Sequence, residues 1–156
     1  MIMDIPGKLD SLSRTFSTLI PEWLVAILVR FGIFLVFWRS AQTKLGGSSI
    51  LGQKLEFWNI SESTFMLFEY DYQVPFLPTK VAAYLGTWGE FFFALGILFG
   101  LLTRLSALGL ILVSLTILYV YTADWPTILL WAGLLLYLLK NGAGALSLDA
   151  LIRRKL

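Results

Sequence analysis

Glu90 is the residue that calls for explanation. It sits in "GTWGEFFFALGILFGLLTR", residues 86–104, a stretch otherwise dominated by apolar and small side chains. Arg30 interrupts an equally apolar run from Trp23 to Trp38. A charge at the centre of a bilayer costs at least about 2.5–3.5 kcal/mol on insertion scales, so such residues seek a partner and mark function by default. If consecutive apolar segments run antiparallel, Arg30 and Glu90 fall at comparable depth, and a Glu90–Arg30 pair is the expected arrangement. That pair has two uses. Glu90 could exchange a proton with a substrate while Arg30 tunes its affinity for that proton, or the two charges could only fix helix register. The residues leave both open. Arg39 and Lys44 follow at the edge of the first run, either snorkelling to the interface or forming a cationic mouth for an acidic or quinone-like head group. Tyr84 and Trp88, within two turns of Glu90, either pack on neighbouring helices or stack on a ligand ring.

What the chain lacks narrows the chemistry. Its 156 residues include no Cys and no His. Disulfides, thiol relays and Cys-bound iron–sulfur clusters are therefore not available to it, nor are His-ligated metal sites. No cofactor is expected in the chain itself; a redox role would use an organic carrier such as a quinone, or a partner's cofactor. The acidic set Glu56, Glu62, Glu69 and Asp71 lacks EF-hand spacing and reads as a solvated loop face, so no metal site is expected. A net charge of +2 gives no reason to expect nucleic acid.

The elements that must position these charges are membrane helices. The chain is 58% hydrophobic and 14% charged, against roughly 45–50% and about 25% for soluble domains. Apolar runs place helices at about 23–43, 80–102, 105–123 and 126–140. This predicts an all-α fold, a four-transmembrane-helix bundle over residues 23–149. The fourth run is short for a span, which suggests local thinning or a buried helix end. Residues 1–22 place Leu9, Leu12, Phe16 and Leu19 opposite Lys8, Ser11, Arg14 and Thr18, the pattern of an interfacial amphipathic helix. The first apolar run starts only at Trp23 without a small-residue cleavage site after it, so a secretory signal is not expected.

Between the first two spans lies a capping loop, residues 44–79. "KLGGSSILGQ" reads as a hinge. "LEFWNISESTFMLFEYDY" is amphipathic and aromatic, with Ser61 an N-cap candidate for a helix to about Tyr70. "QVPFLPTK" then breaks it with two prolines. Such a segment suits the membrane interface, where Trp and Tyr concentrate. An even number of spans puts both termini on one side. The basic C-terminal tail, residues 150–156 with Arg153, Arg154 and Lys155, tips that side to the cytoplasm, in a plasma (bacterial inner) membrane. The cap would face outward and offer a protein partner a surface; a homo-oligomer is also compatible.

The order and spacing of several pieces carry a family resemblance. They are "RFGIFLVFWRSAQTKL", "FEYDYQVPFLPTKVAAYLGTWGEFFFALGILFGLLTRLSALGL" and "GAGALSLDAL". The chain resembles the DoxX family of small four-helix integral membrane proteins from about Trp23 onward. The motif residues fall on Arg30, Lys44, Glu90, Arg104, Gly142, Gly144, Ser147 and Asp149. The resemblance implies a four-helix membrane fold, and a role as an accessory subunit of a membrane redox or stress-response system. The alternatives are a quinone/quinol-handling oxidoreductase subunit and a small-molecule or ion transporter. The transporter reading is weakened because neither an inverted repeat nor a pair of broken helices is visible.

Overall fold

The computed structural model describes residues 10, 14, 16–120 and 124–155. Most of the expected N-terminal amphipathic segment, including Lys8, Leu9, Ser11 and Leu12, lies outside the described residues, as does the expected end of the third span at 121–123. Residues 16–19 are helical and exposed.

Four long helices form the body: α1 (Glu22–Lys44), α3 (Thr79–Phe99), α4 (Thr103–Val120) and α5 (Trp125–Asn141). Between α1 and α3 come a two-stranded hairpin, β1 (Ser49–Ile50) and β2 (Gln53–Lys54), and a short helix α2 (Glu62–Met66) continued by a wider π-helical turn, Leu67–Tyr72. A final short helix, α6 (Leu148–Lys155), closes the chain. The fold is all-α apart from the small hairpin. Among the described residues, three helices, α1, α3 and α4, are long and apolar enough to cross a membrane. With 17 residues, α5 spans only about 25 Å.

Packing follows helical periodicity. On α1 the buried positions are Ala26, Arg30, Ile33, Phe37, Ala41 and Lys44, spaced three or four apart. On α3 they include Ala83, Thr87, Glu90, Ala94 and Ile97 in the same rhythm. One shared core draws two residues from each helix: Ile33 and Phe37, Ala94 and Ile97, Ala107 and Leu110, Leu135 and Leu138. The long helices thus pack as a bundle in which α1 and α4 flank α3, and α5 rests on α4 and α1.

The α3–α4 turn shows why the chain reverses there. Gly100 adopts φ 64°, the left-handed conformation that ends many helices. The Leu101 N–H donates to Gly96 O at 2.9 Å and the Gly100 N–H to Ile97 O at 3.2 Å, which is a Schellman cap. A Cβ on Gly100 would stand 2.5 Å from the Ser147 Cβ. Gly96 and Gly100 therefore do not act as one helix-packing step: Gly96 faces Ser106 of α4, while Gly100 terminates α3.

The cap is built from local signals. Ser61 accepts from the Thr64 N–H at 3.3 Å to start α2. Gln73, in the left-handed region at φ 39°, ends the π-helical turn, and Pro78 leads into α3. The Ser61 N–H and the Thr64 hydroxyl both donate to the Lys44 carbonyl, at 3.0 and 2.9 Å. The cap is thereby bolted onto the last residue of α1.

Candidate functional site

Two buried charges on one face of α1, two heptads apart, meet different fates. Lys44 donates from Nζ to both Glu90 oxygens, at 2.7 Å to Oε2 and 3.0 Å to Oε1. The same ammonium donates to Ser40 Oγ at 2.7 Å, one turn back on α1. All three donors of the lysine are thus used. Lys44 is 5% and Glu90 2% exposed, so this is an ion pair sealed from solvent. Breaking it from one side would leave an uncompensated buried charge.

The expected Glu90–Arg30 pair does not form. Arg30 lies at the far end of α3 and donates to carbonyls: Nε to Ile97 O at 2.9 Å, Nη1 to Ala143 O at 3.2 Å and to Leu146 O at 2.7 Å, and Nη2 to Leu98 O. Two of these belong to the last turn of α3, where carbonyls lose the amide four residues on, although Ile97 O also accepts from the Gly100 N–H. The other two lie in the turn after α5. The physical reason is register. α1 is staggered along α3, so its last residue, not its middle, comes abreast of Glu90. The fork of five fixed donors on a guanidinium suits Arg30 to gather four carbonyls from two segments.

The pair has an apolar neighbour. A cavity of about 480 Å³ lies between α3, α4 and the cap, and Glu90 is the ionisable carboxylate on its wall. Phe68 and Tyr72 of the π-helical turn, Phe93 of α3, and Leu108 and Leu112 of α4 line the rest. Glycines make the space. A Cβ at Gly86 would stand 2.8 Å from the Phe68 ring, and one at Gly109 would overlap the Phe93 ring. A carboxylate there keeps lone pairs beyond those facing Lys44. It could accept a hydrogen bond or a proton from a hydroxyl carried in by an apolar molecule.

The other sequence candidates sit elsewhere. Arg39 is on the exposed side of α1. Trp88 donates from Nε1 to Phe57 O at 2.8 Å, and Tyr84 packs edge-on against Trp88 and tilted against Phe65. Both rings anchor the cap and neither is on the cavity wall. Glu56 binds Ser48 Oγ at 2.8 Å and Asn59 Nδ2 at 3.2 Å inside the cap; the Ser48 hydroxyl, then Asn59 and the Ser48 N–H, hold its carboxyl below the usual range. Among the described residues, no cluster of three or more acidic groups could hold a metal ion.

At the opposite end, the C-terminal motif closes onto the α3–α4 turn. Asp149 accepts from the Leu102 N–H at 2.8 Å and the Thr103 N–H at 2.9 Å, and its own N–H donates to Gly100 O at 2.9 Å. Ser147 Oγ donates to Gly144 O at 2.8 Å and accepts from the Ala150 N–H at 3.2 Å. Gly142 and Gly144 both have positive φ, and a Cβ on Gly144 would stand 2.9 Å from that of Ala26. Arg104 donates a long bond, 3.4 Å, to Lys140 O.

Three participants were not expected from the sequence. Ser40 lies one turn before Lys44, and that spacing on an otherwise apolar face was its signal. Phe68 and Tyr72 read only as cap residues, because nothing local says that the cap folds back onto α3.

A family model described as DoxX matches residues 25–123. No curated protein and no solved structure matches the chain.

Proposed function

The chain belongs to the DoxX family, and from that premise we propose that it is an accessory subunit of a membrane redox or stress-response system, crossing the plasma membrane four times. One observation carries this reading: the buried charges are closed on one another or on backbone. Lys44 spends its ammonium on Ser40 and Glu90, and Arg30 spends its guanidinium on four carbonyls. Groups committed in this way are framework for a bundle that offers its outer cap to a partner. The fourth crossing is α5. It packs antiparallel to α4, and a span of about 25 Å is accommodated by local thinning of a hydrocarbon layer of about 30 Å.

The cavity beside Glu90 favours a second reading, a quinone-handling oxidoreductase subunit. There Glu90 would exchange the proton of a quinol, with Lys44 in the role expected of Arg30. Purification in native lipids followed by mass spectrometry separates the two. A co-purifying protein without bound quinone supports the accessory role. Stoichiometric quinone that disappears in E90Q, in a chain that still folds, overturns it in favour of the second.

A further inference from the structure

The C-terminal end of the molecule carries a second recess, which shares Leu105 with the wall of the Glu90 cavity. It measures about 450 Å³ and lies between the α3–α4 turn, the end of α5 and α6. Its wall includes Arg104, Asn141, Arg153, Leu102, Leu105 and Ile152. The platform is rigid, because Asp149 ties α6 to the Leu102 and Thr103 N–H groups.

Three observations define what fits there. First, among the described residues, Arg104 and Arg153 each make one long backbone bond, to Lys140 O at 3.4 Å and to Asp149 O at 3.3 Å, and the Arg153 charge also acts on the Asp149 carboxylate. Most of their N–H donors remain free to bind an anion. Second, the carboxylate in the recess, Asp149, is already engaged by two backbone N–H groups, while Lys140, Arg154 and Lys155 are exposed nearby. The local field is positive. Third, the recess opens onto an apolar stripe. Leu101, Leu105, Leu108 and Leu112 recur at helical spacing along α4 and its entry, and all are exposed.

Guanidinium groups bind phosphate oxygens through paired N–H bonds, and apolar side chains at helical spacing bind acyl chains. We propose that this recess holds the phosphate of an anionic phospholipid, with its acyl chains lying along Leu105, Leu108 and Leu112. The lipid is the occupant because one molecule of it supplies both an anion for Arg104 and Arg153 and hydrocarbon for the exposed leucines that run from the recess along the wall of the Glu90 cavity. Bound there, the headgroup bridges α4 and α6 and fixes this end of the bundle at the membrane surface.

The test uses the full chain in a mild nonionic detergent, titrated with phosphatidylglycerol, phosphatidylcholine or inorganic phosphate. Native mass spectrometry reads adducts and thermal unfolding reads stabilisation. The expected result is a phosphatidylglycerol adduct that survives detergent stripping and raises the unfolding midpoint. R104Q/R153Q should weaken that binding about thirtyfold, at the usual contribution of each basic residue near an anionic surface. Its midpoint without added lipid, compared with wild type, reports whether the variant is folded. Equal binding of phosphatidylcholine overturns the proposal, as does an equal shift with inorganic phosphate, or undiminished phosphatidylglycerol binding by the folded variant. The wild-type chain gives a second readout that needs no variant. In nanodiscs of 3:1 phosphatidylcholine to phosphatidylglycerol, lipid retained on extraction should be enriched in phosphatidylglycerol, and retention at the bulk ratio overturns the site.

Discussion

Lys44 and Glu90 depend on each other more than on anything else nearby. Removing one partner of a buried pair typically costs about 3–5 kcal/mol, because the survivor keeps its desolvation cost. K44M and E90Q should therefore each lower the unfolding midpoint sharply, with E90Q the milder because its amide remains an acceptor. K44M/E90Q should recover much of the loss in a double-mutant cycle. Additive losses would mean that the two side chains act independently. Arg30 presents a different case. A lysine there keeps the charge but loses the planar fork, so R30K should cost about 1–3 kcal/mol through carbonyls left without donors. Thermal unfolding of R30K in detergent checks this, and a wild-type midpoint would show that the carbonyls find other donors.

At the level of elements, local chemistry was legible and relative placement was not. Ser61 as the start of α2, the proline break before α3 and the tight α3–α4 reversal all follow from residues within a few positions of one another. The Arg30–Glu90 expectation failed because it assumed that two helices distant in sequence start level. Their stagger is set by packing between them, which no window of sequence contains. Gly100 joins both kinds of information, since its left-handed conformation is local while its contact with Ser147 is distant. G100A should cost at least about 2 kcal/mol, from backbone strain and overpacking together. Urea or thermal melts would show this, and a neutral result would mean that the turn can shift. Asp149 sets the pH response of the same junction. Partial burial pushes its pKa up, but the Thr103 and Leu102 N–H groups and Arg153 outweigh it, so the carboxyl is held below its ordinary value. A depressed carboxylate contributes stability that is present above its unfolded pKa and lost as pH falls through the folded one. The junction should hold at neutral pH and weaken on acidification below about 3.9. D149N should be less stable at neutral pH and show a flatter acid limb in a series of melts across pH.

For the whole molecule, the decisive measurement is the number of crossings. The chain has no Cys, so single introduced cysteines report without background. With four crossings, D10C and K155C should react with a membrane-impermeant maleimide from the same side, which the proposed orientation makes cytoplasmic, and S48C in the cap from the other. Reaction of D10C and K155C from opposite sides would fix an odd number of crossings. The stagger of α1 has a consequence for the same geometry. Beyond Lys44 the place of a helix beside α3 is taken by folded loop, held to the Lys44 carbonyl by Ser61 and Thr64. The barrier between the aqueous phase on the cap side and the carboxylate is therefore uneven, thick through the helical half and only a loop deep on the other. Undocking that loop would wet Glu90 while every long helix stayed where it is.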